Sequence, residues 1–134
     1  MLTKKIYGLI GKNIEYSFSK NYFNNKFERS RIRDTEYKNF DLNDISEFEK
    51  IDLSNIVGFN VTIPYKEDII TFIDKVSDDA LKIGAVNTIK ISNNKLIGFN
   101  TDHIGFSKSL NGKKFKNALV FGSGGASKAI KYSL

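Results

Sequence analysis

A lysine follows a proline at the end of a β-branched stretch, in residues 60–66 (NVTIPYK). Pro64 suits the first position of a helix, because its missing N–H is not needed there and its φ is already helical. Lys66 would then lie in the first turn, where the positive end of the helix dipole disfavours an ammonium group and lowers the lysine pKa. The pattern predicts a lysine that accepts protons. The alternative is a solvent-exposed lysine that tolerates the dipole.

Several other polar residues fall at predicted strand ends or helix starts, where α/β sheets bind ligands. Ser17 and Ser19 flank Phe18 after the first predicted strand, so both hydroxyls would reach one carboxylate if the backbone is extended. Helix capping is the alternative role for Ser19 and for Asp102. Together with Lys66, the side chains suit a polyhydroxylated acid, because they combine a base, a carboxylate and neutral hydrogen-bonding groups. The neutral groups include those of Asn60, Thr62 and Asn87.

The composition is that of a folded domain with a mildly positive charge. The 134 residues are 40% hydrophobic and contain one proline and no cysteine, which excludes disulfides, thiol catalysis and cysteine-ligated metals. The net charge is +6, but the lysines are scattered and cluster only at residues 113–116. Nucleic-acid binding is therefore not favoured, whereas a small anionic substrate is. No apolar stretch is long enough for a signal peptide or a membrane span, so we expect a cytoplasmic protein that contacts no membrane.

The hydrophobic pattern alternates between strands and helices at short spacing, which is typical of an α/β protein. Strands are predicted at residues 4–11, 36–42, 56–62, 86–91 and 95–99, the last two forming a hairpin. Helices are predicted at residues 19–31, 43–50, 64–74 and 102–110, with another between Ser77 and Gly84. We expect a mainly parallel mixed sheet flanked by helices, with the hairpin at one edge.

A second unit begins after the polar stretch at residues 111–116. Residues 117–121 are predicted to form a short strand, residues 122–125 (GSGG) a tight turn, and residues 126–134 the start of a helix. A strand, glycine turn and helix N-terminus form a cradle for phosphate groups, although an ordinary tight turn is the alternative. Ser127 replaces the third glycine of the usual dinucleotide fingerprint. The pattern indicates the first βα unit of a Rossmann-type domain.

These motifs together resemble the shikimate dehydrogenase family, whose NADP-dependent members interconvert 3-dehydroshikimate and shikimate. The resemblance covers essentially the whole chain. It implies a substrate-binding domain at residues 1–101, a connecting helix and turn at 102–116, and the start of a dinucleotide-binding domain at 117–134. The motifs that carry it, in the family's order, are Ser17-Phe18-Ser19, residues 60–66, residues 84–88, Asn100-Thr101-Asp102 with Gly105-Phe106, and residues 122–126.

The resemblance also implies individual roles. Ser17 and Ser19 match the serines that bind the substrate carboxylate, and Lys66 and Asp102 match the catalytic pair. Thr62, Lys66, Asn87 and Asp102 match the groups that hydrogen-bond the ring hydroxyls. The residues that match the NADP pyrophosphate turn are Gly122, Ser123, Gly124, Gly125 and Ala126.

The chain departs from the family's pattern at three positions and in length. Tyr16, Lys20 and His103 stand where the family usually has His, Pro and Gly, so quinate is an alternative substrate. His103, the one histidine, is predicted to be a surface residue in the first turn of a helix. Because most of a nucleotide domain is missing from the sequence, we expect a fragment limited to substrate binding. A non-catalytic binding or interaction module is the alternative.

Residues 117–134 are not expected to complete a sheet on their own. The edge of the predicted strand would pack on the first domain, fray, or pair with a second copy of the chain. The last of these outcomes predicts a homodimer.

Overall fold

The computed structural model describes residues 3–134, which form one six-stranded sheet with helices on both faces. The strands are β1 (Lys5–Gly11), β2 (Thr35–Asp41), β3 (Ile56–Val61), β4 (Lys75–Val76), β5 (Thr88–Ser92) and β6 (Lys95–Phe99). The α-helices are α1 (Phe18–Arg29), α2 (Asp78–Ile83), α3 (Asp102–Ser109) and α4 (Gly125–Ser133). Two short 3₁₀ helices cover Ile45–Lys50 and Asp68–Phe72.

The sheet has the strand order β2, β1, β3, β5, β6, β4. β1 runs parallel to β2 and to β3, whereas β5 runs antiparallel to β3 and to β6. The start of β5 therefore lies between the ends of β3 and β6, and Thr88 pairs with both Asn60 and Phe99. The predicted mixed α/β sheet with a hairpin is confirmed, but the hairpin is not at an edge of the sheet, because β4 pairs with β6 on its outer side. This topology brings several chain segments to one end of the strands.

Apolar residues fill both faces of the sheet. On one face Ile10, Phe59, Ile69, Val86 and Ile89 are at most 3% exposed and form the main core. Burying side chains of this size stabilises the fold by about 1.5–3 kcal/mol each.

On the other face of the sheet, α1 packs on β1 and β2. The ring of Phe23 stacks on that of Tyr37 with centroids 4.8 Å apart. Because β2 is an edge strand, the backbone of Tyr37 needs another partner, and the Asn24 side chain bonds both its N–H and its C=O. The helix that follows β1 is thereby fixed to the sheet.

The predicted helix at residues 64–74 is wrong. Residues 63–67 form turns, the Ile63–Pro64 peptide is cis, and helical structure begins only at Asp68 as a 3₁₀ helix. Contacts with distant segments shape these turns. The Tyr65 hydroxyl donates to the Leu42 carbonyl at 2.7 Å, and the Lys66 carbonyl accepts from the Val86 N–H at 2.7 Å. Lys66 therefore does not lie in the first turn of a helix, and the helix-dipole argument for its reactivity does not apply.

The alternative capping roles of Ser19 and Asp102 do not hold either. Ser17, not Ser19, is the N-cap of α1, and its Oγ accepts from the Ser19 N–H at 3.3 Å. Thr101 is the N-cap position of α3, and Asp102 is the first helical residue. In each case the helix starts earlier than that capping role requires.

The predicted strand at residues 117–121 is absent. These residues have no regular secondary structure, because no strand among residues 3–134 pairs with them. The helix after the glycine turn is confirmed as α4, and it packs on α2 and α3. Ala129 of α4 is fully buried against Ile83 and Ala85. The strand edge at residues 117–121, through which the homodimer was predicted to form, is therefore absent, and the homodimer itself stays a prediction.

No helix within residues 3–134 has the length and apolar character needed to cross a lipid bilayer.

Candidate active site

An ion pair lies where β3, β5 and β6 meet. The Nζ of Lys66 donates to Oδ2 of Asp102 at 2.7 Å, although 36 residues separate the two in sequence. The Lys66 side chain is 15% exposed and that of Asp102 is 34% exposed. Partial burial strengthens a charge-assisted bond of this length relative to an ion pair in open solvent. The structure therefore brings together the predicted catalytic pair.

Asn87 holds the carboxylate of Asp102 from the other side. Its Nδ2 donates to Oδ1 of Asp102 and to Oγ1 of Thr101, both at 2.9 Å. Its Oδ1 accepts from the backbone N–H of Thr101 at 2.8 Å and from the Thr88 hydroxyl at 3.0 Å. Because the backbone N–H can only donate, it fixes which end of the amide faces Asp102. Asn87 is 9% exposed, so the amide at the centre of this network is shielded from water, whereas Asp102 and Thr101 remain accessible.

The sheet topology explains why these residues meet. Lys66 follows the end of β3, Asn87 precedes β5, and Asp102 follows β6. Antiparallel pairing places the start of β5 beside the ends of its two neighbours. The three side chains therefore reach the same edge of the sheet, which is where α/β proteins collect ligands.

Ser17, Ser19 and Thr62 follow strands β1 and β3 at this same edge, but no hydrogen bond within residues 3–134 joins them to Lys66, Asn87 or Asp102. The loop that carries Ser17 is held by the end of β2. The backbone N–H groups of Asn13 and Ile14 donate to the Asp41 carboxylate at 2.8 and 3.0 Å. The serines are thus positioned by the sheet, at a separate point along its edge.

Tyr37 and Asn60 form a hydrogen-bonded pair beside Ser19. The Tyr37 hydroxyl donates to Oδ1 of Asn60 at 2.9 Å, and the Ser19 side chain lies beside the Tyr37 phenol. Burial raises the pKa of Tyr37 to about 12, so the phenol stays protonated near neutral pH and keeps donating. The sequence motifs missed Tyr37, because a tyrosine within a strand carries no signal of its own. Thr88 lies within the motif at residues 84–88, but that motif gave it no role of its own.

The comparisons with known proteins place the chain in a family. Residues 9–89 match the family model described as the shikimate dehydrogenase substrate binding domain. The chain belongs to the shikimate dehydrogenase family. The matched segment contains Lys66 and Asn87, and Asp102 lies 13 residues beyond its end.

Individual shikimate dehydrogenases are similar over nearly the whole chain. The NADP(+) enzyme of Clostridium botulinum strain Hall is 49% identical over 135 residues, which cover 95% of this chain and 52% of that protein. A shikimate dehydrogenase solved in complex with NADP+ is 39% identical, with a TM-score of 0.87 over 97% of this chain and 47% of that one. The Thermus thermophilus enzyme, solved in complex with shikimate, is 30% identical with a TM-score of 0.84, over 96% of this chain and 51% of that one. The chain thus spans about half the length of the curated relatives it matches.

The glycine turn has the form of an anion cradle. Gly124 occupies the N-cap of α4 and provides no side-chain cap. Gly122 has φ +122°, which side-chain-bearing residues rarely adopt, and a Cβ on Gly124 would meet nothing within 4 Å. The open backbone N–H groups at the start of α4 suit a phosphate group. Residues 122–126 therefore fit the pyrophosphate part of a dinucleotide.

His103 stands where the shikimate dehydrogenase family usually has glycine. The prediction that it is a surface residue is wrong. Its side chain is 13% exposed and its ring packs edge-on against Tyr132, with centroids 5.3 Å apart. Nε2 of His103 lies 3.8 Å from Oδ2 of Asp79, and the Tyr132 hydroxyl donates to Oδ1 of that residue. His103 therefore connects α3 to α4 and to α2.

An apolar groove of about 390 Å³ lies on the α1 face of the sheet. Tyr7, Phe23, Phe27 and Phe59 contribute to its walls, and Asn60 lies at its border. The groove contains neither Lys66 nor Asp102. Lys90 and Tyr37 also line the groove, but no carboxylate stands among its lining residues. We therefore assign the candidate site from the hydrogen-bond network around the Lys66–Asp102 ion pair.

Proposed function

We propose that this chain carries the substrate site of an NADP-dependent oxidoreductase that interconverts 3-dehydroshikimate and shikimate. The observation that carries the proposal is the Lys66–Asp102 ion pair, 2.7 Å long and braced by Asn87. Its support from the comparisons is the match of residues 9–89 to the substrate-binding domain and the similarity to enzymes named shikimate dehydrogenase (NADP(+)).

The proposed chemistry uses Lys66 as the acid–base group. In the reduction, Nζ of Lys66 donates a proton to the ketone oxygen of 3-dehydroshikimate, which becomes the hydroxyl group of shikimate. In the reverse direction the same nitrogen takes that proton. Asp102 orients Nζ and stabilises its positive charge. NADP, when bound, exchanges the hydride with the ring carbon, and residues 122–126 would hold its pyrophosphate.

The remaining groups would bind the substrate. The hydroxyl groups of Ser17 and Ser19 would donate hydrogen bonds to the carboxylate, and the Thr62 hydroxyl would form a hydrogen bond with a ring hydroxyl. Both N–H groups of the Asn87 amide are already used inside the protein. A ring hydroxyl would therefore replace the bond from Asn87 to Thr101, because Thr101 is exposed. The bond from Asn87 to Asp102 would remain.

We also propose the domain division on which this function depends. Residues 1–101 would form the substrate-binding domain, 102–116 a connecting helix and turn, and 117–134 the first part of the dinucleotide-binding domain. Residues 113–119 are exposed and have no regular structure. Trypsin should therefore cut first after Lys113, Lys114 or Lys116. First cuts within residues 5–101 would contradict this division.

Titration calorimetry with shikimate tests the proposal on the chain as given. We expect saturable binding, weakened at least about tenfold in Lys66→Met, because the variant removes a charged hydrogen-bond donor. Lys75→Met is the matched control, since Lys75 is exposed in β4 at the far edge of the sheet. If quinate binds more tightly than shikimate, quinate replaces shikimate as the proposed substrate. No binding of either acid at millimolar concentration would contradict the proposal.

A shikimate-binding module without catalysis is the remaining alternative. It predicts the same binding but no role for the lysine as an acid–base group. A protein in which a complete nucleotide domain follows residue 134 should turn over shikimate with NADP+, and Lys66→Met should abolish that turnover. Unchanged turnover in the variant would exclude Lys66 as the acid–base group.

A further inference from the structure

The first turn of α4 covers the side chain of Lys66. A Cβ built on Gly125 would lie 2.8 Å from Cβ of Lys66 and 3.4 Å from its Cδ. It would also lie 3.2 Å from Cβ of Ala85. A 2.8 Å separation is shorter than carbon atoms tolerate, so any side chain at this position would push the helix or the lysine aside. The close approach of α4 to Lys66 therefore requires glycine.

Lys66 is held by its backbone and by the end of its side chain. Its carbonyl accepts from the Val86 N–H at 2.7 Å, and its Nζ donates to Asp102 at 2.7 Å. The methylene stem between these two points is flexible, because lysine has many rotamers. Gly125 lies against this stem, at the Cβ and Cδ atoms, and so limits the paths the stem can take.

Contacts on either side fix α4 in this position. Nζ of Lys128 donates to Oε2 of Glu67 at 2.6 Å, and Glu67 directly follows Lys66. Farther along the helix, the Tyr132 hydroxyl donates to Asp79 at 2.6 Å and Ala129 is fully buried. The helix is thus attached both to the turn that carries Lys66 and to α2.

We propose that Gly125 is a positioning residue for Lys66. Its missing side chain lets α4 pack on the lysine stem, which holds Nζ against Asp102. In a dinucleotide-binding turn, a glycine is usually explained by contact with the phosphate or by packing on its own strand. Here the backbone N–H of Gly125 stays available to an anion, while the absence of its side chain serves Lys66. The effect on substrate binding rests on the function proposed above, whereas the contact itself does not.

Lysine labelling with acetic anhydride, followed residue by residue by mass spectrometry, tests this proposal without ligand. Gly125→Ala should speed the acetylation of Lys66 by about fivefold, because the stem is displaced and Nζ leaves Asp102 more often. Lys75 is the internal reference, since it is exposed and distant. Gly124→Ala is the matched control for labelling, because its Cβ would meet nothing within 4 Å. Equal Lys66 rates in the wild type and in both variants would overturn the proposal.

A second variant covers the case in which Gly125→Ala does not fold, as judged by circular dichroism. Lys128→Met removes the ion pair with Glu67 without adding atoms near Lys66, and should speed Lys66 labelling by about twofold. Lys131→Met, on an exposed position of the same helix, is its control. If Lys66 is acetylated at the same rate in Lys128→Met and in Lys131→Met, docking of α4 through the Lys128–Glu67 ion pair does not hold Lys66, and the proposal is wrong.

Shikimate titration then separates the two proposals. Gly125→Ala should bind shikimate about tenfold more weakly, because small misplacements of a binding group are costly. Gly105→Ala in α3 should bind like the wild type, since its Cβ would meet nothing within 4 Å. If wild-type protein does not bind shikimate, the proposed function fails, while the labelling result still decides the role of Gly125.

Discussion

Asp102 divides its two carboxylate oxygens between different partners. Oδ2 accepts from Lys66 at 2.7 Å and Oδ1 accepts from Asn87 at 2.9 Å. A carboxylate bonded on both sides cannot rotate without breaking one bond, so it keeps Nζ of Lys66 in one place. The same residue thereby orients the lysine and leaves its remaining lone pairs for a ligand hydroxyl.

A double-mutant cycle measures this pairing. Lys66→Met and Asp102→Asn should each lower the free energy of unfolding by about 1–2 kcal/mol, because each leaves a partly buried partner without its bond. The double variant should lose less than the sum, with a coupling of about 1 kcal/mol. Urea denaturation of the four proteins gives these values.

The exposed ion pair between Lys4 and Glu36 is the matched control for that cycle. The distance from Nζ of Lys4 to Oε2 of Glu36 is 2.9 Å, but the Lys4 side chain is 56% exposed. Its coupling should be smaller, about 0.3 kcal/mol, since solvent screens exposed pairs. Equal coupling in both cycles would mean that the site adds nothing to an ordinary surface ion pair.

The strands that carry the site could be predicted from the sequence, because their apolar patterns are local. The segments containing β3, β5 and β6 each showed the expected pattern, and polar residues at their ends pointed to a common edge. The two ends of α2 were also predictable. Ser77 is its N-cap, and Gly84 ends it with a φ of +73°, a conformation that favours glycine. Local chemistry was sufficient at these points.

The turn at Lys66 and the segment before α4 could not be predicted in this way. Distant atoms shape the turn, through the bonds from Tyr65 to Leu42 and from Val86 to Lys66. Residues 117–121 are apolar enough for a strand, but a strand also needs a neighbour, which no sequence pattern supplies. The close contact between Gly125 and Lys66 depends on the docking of α4, so it also could not be predicted from the sequence.

Docking of α4 can be tested at its C-terminal end. Tyr132→Phe removes the hydroxyl that donates to Asp79 at 2.6 Å but keeps the ring that packs on His103. Hydrogen exchange of the α4 amides should become about threefold faster, because one attachment of the helix is lost. Exchange in α1 should not change, since it packs elsewhere. Unchanged exchange in α4 would show that the hydroxyl does not hold the helix.

Across the whole molecule, acid should destabilise the fold. Hydrogen bonding to Lys4 lowers the pKa of Glu36, and the Leu96 N–H lowers the pKa of Asp74. Bonds from Ser46 and Ser54 likewise lower the pKa values of Asp44 and Asp52. At acidic pH the unfolded chain therefore binds more protons than the folded one. The stability that these groups contribute is complete well above their ordinary pKa values of 4.5 for Glu and 3.8 for Asp, and is lost as the pH falls through the lower folded values.

Thermal unfolding at pH 7, 5 and 3 checks this expectation. The melting temperature should change little between pH 7 and 5 and should fall by several degrees, on the order of 5 °C, by pH 3. A variant carrying Glu36→Gln and Asp74→Asn should lose less on acidification, because two of the responsible groups are gone. An equal loss in the variant would assign the acid sensitivity to other carboxylates.

Amide NMR of the chain during a titration with shikimate tests the central claim most directly, because it shows where the acid binds. We predict saturable shifts of the Asn87 side-chain amide and of the backbone amides of Ser17, Ser19 and Asp102. Asn87 and Asp102 should not shift with an equal concentration of acetate, which has a carboxylate but lacks the ring hydroxyls. Saturable shifts confined to residues 122–126, or to the groove lined by Phe23 and Phe27, would contradict the assignment of the site.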